Sequence, residues 1–170
     1  MPNPTLSLAS EKLASEAGAI ESLYDIDFYA WTQEQSQFLP SRDWNQLDID
    51  HLIEEVESSG KQQRQELRSR LSIVLGHLLK WECQPQCRSR SWLANLRIQR
   101  RDITCILKDS PSLKPYLEQV VKDAYDNGRD LAMVETDLPG SQFPVESPYS
   151  FDVALDAVFY PGEPSELTEE

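Results

Sequence analysis

Positions 53, 56, 60, 63, 67, 71, 74, 78 and 81 advance in steps of three or four with no proline among them. Ile53, Val56, Leu67, Leu71, Val74, Leu78 and Trp81 make this stripe apolar; only Gly60 and Gln63 weaken it. Such spacing places side chains on one face of an α-helix. It predicts one helix over about 49–82, with Asp48 as its N-cap and Pro85 beyond its end. At 1.5 Å per residue the helix runs about 50 Å. One interior glycine costs about 1 kcal/mol, which packing offsets. The alternative is a hinge at Ser58, Ser59 and Gly60.

The flanking segments have the same character. Tyr24, Phe28, Trp31 and Phe38 share a stripe that Gln35 interrupts, with Asp25 and Asp27 at its front and Pro40 closing it near Leu39. A third helix is expected from about 91 to 108, with Trp92, Leu96, Ile103 and Leu107 inward. A fourth is expected from about 112 to 135, its phase kept through Asp126, Asn127 and Gly128. After Pro139 the chain reads as a loop-rich flap whose Phe143, Tyr149, Phe151, Leu155, Val158 and Phe159 close the core. It contains a short helix capped by Ser150. No stretch alternates with period two, so the fold class is all-α, an irregular helical bundle.

The expected organisation is a flexible segment over 1–20, one helical domain over 21–160 and an acidic flexible tail over 161–170. The tail holds two prolines and four glutamates in Pro161–Glu170, too little apolar surface to offset its ordering entropy. No secretory signal or membrane-spanning run is read. The three cysteines, Cys83, Cys87 and Cys105, suit reduced thiols and a cytoplasmic setting.

The net charge of −13 argues against a protein that binds nucleic acid over its whole surface. The charge is uneven, however. From Lys61 to Lys108 eleven basic residues face three acidic ones, a balance of +8, leaving −21 for the rest. Surface pairing with acidic helices explains most such runs. The functional alternative is an anion site at Arg88, Ser89, Arg90 and Trp92, where a loop runs into a helix and free amides, guanidinium groups and a ring coincide. That stretch has no glycine loop.

His51 and Glu55 are four apart with Glu54 beside them, a spacing that supplies two metal ligands on one helical turn. The other histidine, His77, lies about 39 Å away along an unbroken helix, so the two share no ion. His77, Cys83 and Cys87 offer three ligands without an evident fourth. Apolar neighbours give His77 a partly buried, hydrogen-bonded reading, and the thiols a buried one. There is no Walker loop, no G-x-S-x-G and no cysteine with an obvious histidine base. No metal site and no cofactor is expected, and no catalytic motif is recognisable. Trp31, Trp81 and Trp92 read as core anchors.

Several short motifs follow one another in order: LIEEVE at 52–57, LRSRL at 67–71, HLLKW at 77–81, QP at 84–85, RSRSW at 88–92, QRRDI at 99–103, DSPSLKPYL at 109–117 and TDLP at 136–139. As a set they resemble domain-of-unknown-function family 29, over about 23–161. The resemblance implies an all-helical fold and transfers no activity. Its recurring polar positions fall here on Glu54, Glu55, His77, Lys80, Arg88 and Ser89, and it does not extend to His51 or Cys87. Glu54, Glu55, His77 and Lys80 are the candidate polar cluster, which equally suits a network holding helices in register.

A protein-interaction or scaffold role is the favoured expectation, with a protein partner or a second copy of the chain and no membrane. A long amphipathic helix in a small domain leaves apolar surface to be covered. A nucleic-acid-associated, nuclease-like protein using the basic 64–101 face is the first alternative. A metal-dependent enzyme around Glu54, Glu55 and His77 is the second.

Overall fold

The structure, a computed structural model, describes residues 22–168. The flexible segment expected over 1–20 and the last two residues of the acidic tail lie outside the described residues. The described residues form six helices and four short 3-10 turns, with no strand, so the all-α class is borne out. Their contacts gather into two compact units, one ending at Glu57 and one beginning at Ser58, where the sequence expects a single helical domain.

The first unit begins with α1 (Leu23–Ile26), closed by a capping box between Ser22 and Asp25. Asp27 then breaks the helix that the sequence draws as continuous. Its backbone leaves the helical region, and its side chain accepts the Ala30 N–H to start α2 (Phe28–Ser41). Pro40 lies within the last turn of α2 rather than ending it at Leu39. Gln35, the apparent flaw in the apolar stripe, is buried, and its Oε1 accepts the Asp48 N–H at 2.8 Å. Asp48 in turn accepts from the His51 N–H and from Trp31 Nε1. The interruption in the pattern is thus the joint to the next helix.

That helix, α3 (Ile49–Cys83), is unbroken at Gly60, and nothing lies within 4 Å of where a Cβ would stand there. The predicted stripe holds only in part. From Leu67 onward it is core. Ile53 and Val56 are 54% and 73% exposed, because the face turned toward Tyr24 and Trp31 carries His51 and Glu55 instead.

In the second unit the later turns of α3 pack with α4 (Arg90–Asp109) and α5 (Lys114–Thr136). Leu71, Leu75 and Leu78 meet Leu96 and Ile103 of α4 and Leu117, Ala124 and Ala132 of α5 in one apolar cluster. At one crossing α3 and α5 approach through glycines. A Cβ on Gly76 would stand 2.8 Å from the Gly128 carbonyl oxygen, and one on Gly128 would stand 2.6 Å from that of Ser72. Asp137, with φ of 57°, ends α5 in the left-handed conformation that aspartate tolerates.

The irregular segment after Thr136 covers this core. It contains α6 (Phe151–Leu155), whose N-cap Ser150 accepts the Val153 N–H as the sequence predicts. Phe143 and Tyr149 are buried, whereas Val158 points to solvent. A segment without regular structure leaves carbonyls unpaired, and helical side chains satisfy them here. Arg100 donates to the carbonyls of Ala154 and Phe159 at 2.8 Å each. Tyr125 donates to Pro144 and Arg129 to Gly140. Arg88 reaches Pro161 and Glu163, so the start of the expected flexible tail is held, and Pro161 is buried.

Candidate functional site

Of the candidate polar cluster, Glu54 and Glu55 belong to the first unit and His77 and Lys80 to the second. Glu55 accepts the Tyr24 hydroxyl at 2.6 Å, and that bond is the main cause lifting the Tyr24 pKa to about 12. Tyr24 stacks on His51 with centroids 4.0 Å apart. His51 Nδ1 lies 2.6 Å from Asp48 Oδ2, which raises the imidazole pKa and lowers that of the carboxyl. Glu54 remains exposed.

Lys80 is 1% exposed, with its ammonium paired to Glu135 and 4.5 Å from the centroid of the Trp92 ring. Neighbouring His77 is also buried, and its Nδ1 has no hydrogen-bond partner, contrary to the bonded imidazole expected. Burial first, then the Lys80 charge, pulls the His77 pKa from 6.5 down to about 4. The folded ring is therefore neutral, while the unfolded chain protonates it near its ordinary value. Between those values the unfolded state binds more protons. Stability from this group is complete above about pH 6.5 and is lost as the pH falls through about 4. His51 has the opposite sign: its contribution is present below the ordinary value and is lost as pH rises through the raised one. Thermal melts of wild type and His77→Phe between about pH 4 and 7 check this, and the acid decline should be shallower in the variant.

The RSRSW residues serve the chain itself. Ser89 caps α4 by accepting the Trp92 N–H. The Arg88 guanidinium reaches three carbonyls, the nearest in sequence that of Trp81, and lies over the Trp81 ring. Arg90 stands in the first turn of α4, exposed, and Trp92 shields Lys80. Among the described residues, no three of the histidines, cysteines, aspartates and glutamates gather as a metal would require. Cys83, Cys87 and Cys105 are free; Cys87 and Cys105 are exposed rather than buried. Burial raises the Cys83 thiol pKa.

Sequence reasoning misses Arg100. It is 3% exposed and sits in phase with Leu96 and Ile103. That phase was the available signal: an arginine on an apolar stripe of α4. Tyr149 is placed in the flap by the sequence, but its bond to Glu82 is not foreseen: the hydroxyl donates to that carboxylate, and its pKa is raised chiefly by burial.

The first unit carries an apolar feature open to solvent. Ile49, Leu52, Ile53, Val56 and Glu57 line a shallow hollow of ≈ 270 Å³. Trp44 is 61% exposed, and Ile26, Phe28, Tyr29 and Leu39 are exposed with it. Single exposed apolar residues are ordinary, but this many within residues 22–57 are not. The same residues carry nine carboxylates against one basic side chain, Arg42.

The fold is thus an all-helical one that carries an acidic, apolar open surface. The chain belongs to the family described as domain of unknown function DUF29, which matches residues 23–160. No curated protein matches the chain, and no solved structure does. No described helix is long and apolar enough to cross a membrane.

Proposed function

We propose that the chain is a protein-interaction module whose docking face is the open surface of its first unit. The carrying observation is the outward stripe Ile49, Ile53 and Val56 on α3. Burying a side chain of this class completely contributes about 1.5–3 kcal/mol. The half-exposed ones here retain part of that for a partner. The surrounding carboxylates select a partner with an apolar helical face and a basic rim.

The basic face over 64–101 supports this reading over nucleic-acid binding. Arg70 pairs with Glu66 and Asp102, Lys80 with Glu135, and Arg88 and Arg100 bind carbonyls. A phosphate-tracking surface keeps such groups directed outward.

The double variant Ile53→Glu, Val56→Glu tests the proposal. Exposed positions tolerate such changes within about 0.5 kcal/mol, so helicity and melting should be unchanged. Light scattering and affinity capture should show the wild type in a complex of defined mass and the variant alone. A wild type that remains monomeric at high concentration and captures no specific partner overturns the assignment.

A further inference from the structure

We propose that Arg97, Arg100 and Arg101 of α4, with the hollow they line, form a binding site for a phosphate monoester carrying an apolar group. The site belongs to the second unit and is independent of the docking face. Positions 97, 100 and 101 share one side of the helix. Thr104 and Cys105 continue that wall, and Leu155 and Ala157 of the flap form the other. The hollow measures ≈ 450 Å³, within the usual range of about 300–1,000 Å³ for small-molecule sites.

Charge accounting points to an anion. Arg100 is buried, yet its Nε and Nη2 bind neutral carbonyls, and its Nη1 has no hydrogen-bond partner. Among the described residues no carboxylate forms an ion pair with Arg97 or Arg100. The carboxylate contact of Arg101 is its neighbour Asp102 at 3.9 Å, and Asp102 is held by Arg70 at 2.8 Å. Burial lowers the Arg100 pKa, and Tyr160, whose ring centroid lies 5.2 Å from the guanidinium, and then Asp156 oppose it in part; one Asp156 oxygen also accepts the Val158 N–H. A buried cation without a counter-ion is costly, and an anion in the adjoining hollow offsets it. The exposed forks of Arg97 and Arg101 suit phosphate oxygens, which guanidinium groups grip in pairs. Arg100 supplies field rather than contact, because its free nitrogen is shut off from the surface. Leu155, Ala157 and Cys105 leave room for an alkyl or aryl group.

Phenyl phosphate is the probe, with inorganic phosphate as comparison, titrated calorimetrically into the full chain at constant ionic strength. One saturable site is expected, at least about fivefold tighter for the phenyl ester because ring burial adds on the order of 1 kcal/mol. Arg97→Gln with Arg101→Gln should weaken binding about tenfold or more while leaving the free protein's melting unchanged. Arg100 is left intact because it also holds the flap. Cys105→Asp, which places a negative charge in the hollow, should weaken binding with both arginines present. Phosphatidylcholine vesicles with and without phosphatidate separate two sources of the same ester. Retention on phosphatidate that phenyl phosphate competes away identifies a lipid, and binding of phenyl phosphate alone identifies a soluble ligand. No saturation by about 10 mM phenyl phosphate, or affinity unchanged in the arginine variant, overturns the proposal. So does tighter binding of a single-stranded oligonucleotide with a salt slope of several phosphates, each worth about 0.7.

Discussion

Gly128→Ala should lower the stability of the chain by about 2–3 kcal/mol, whereas Gly60→Ala should raise it by about 0.5–1 kcal/mol. By helix propensity alone both changes are improvements. The difference lies in what surrounds each position. A Cβ on Gly128 meets the Ser72 carbonyl oxygen at 2.6 Å, the Gly76 nitrogen at 2.9 Å and Leu75 Cβ at 3.2 Å. Two of these are backbone atoms of α3, so the helices must separate, and separation loosens the leucines beside the crossing. Gly60 has open space and is exposed, so alanine there only restricts the unfolded chain and favours the helix. Gly76→Ala should resemble Gly128→Ala. The double variant should cost less than their sum, because one displacement relieves both clashes. Urea titrations resolve this through the midpoint, with the slope unchanged. Equal effects at Gly60 and Gly128 would refute the close crossing.

The Lys80–Glu135 pair should respond asymmetrically. Glu135→Gln removes the partner of a buried ammonium and should cost about 2–3 kcal/mol, somewhat below the value for a fully buried pair because Glu135 is partly exposed. Lys80→Met retains the apolar stem and most of the volume against Trp92, and leaves behind a carboxylate that water can reach. It should cost no more than about 1 kcal/mol. Adding Glu135→Gln to Lys80→Met should then have almost no effect. Denaturant titration of the four-member cycle measures the coupling, and additivity would show that the ion pair contributes nothing.

The helices were legible in the sequence because their signals are local. Asp48 and Ser150 cap where predicted, and α3 runs one residue beyond its expected end. Periodicity reports which residues share a face, not whether another element covers it. Ile53 and Val56 therefore looked like a continuation of the Leu67–Trp81 core. Gln35 looked like a defect because its partner is a backbone amide thirteen residues later. Arg100 looked like part of a solvated basic run because its acceptors are 54 and 59 residues away and belong to main chain, which has no sequence signature. The candidate polar cluster is drawn from both units, Glu54 and Glu55 from the first and His77 and Lys80 from the second, and motif order along a chain does not carry which side chains meet.

The arginine-to-carbonyl bonds also set an order on the life of the chain as it is made. Arg100 is synthesised well before both of its acceptors, and Arg88 well before its two in the flap, the last of which, Glu163, follows it by 75 residues. Chains acquire structure from the N-terminal side during synthesis. Until the flap emerges, α3, α4 and α5 have their leucine-rich interior uncovered and a guanidinium beside it without acceptors. The nascent protein therefore passes through a state in which its helices exist but its interior is open, and the closing step waits on synthesis of the flap.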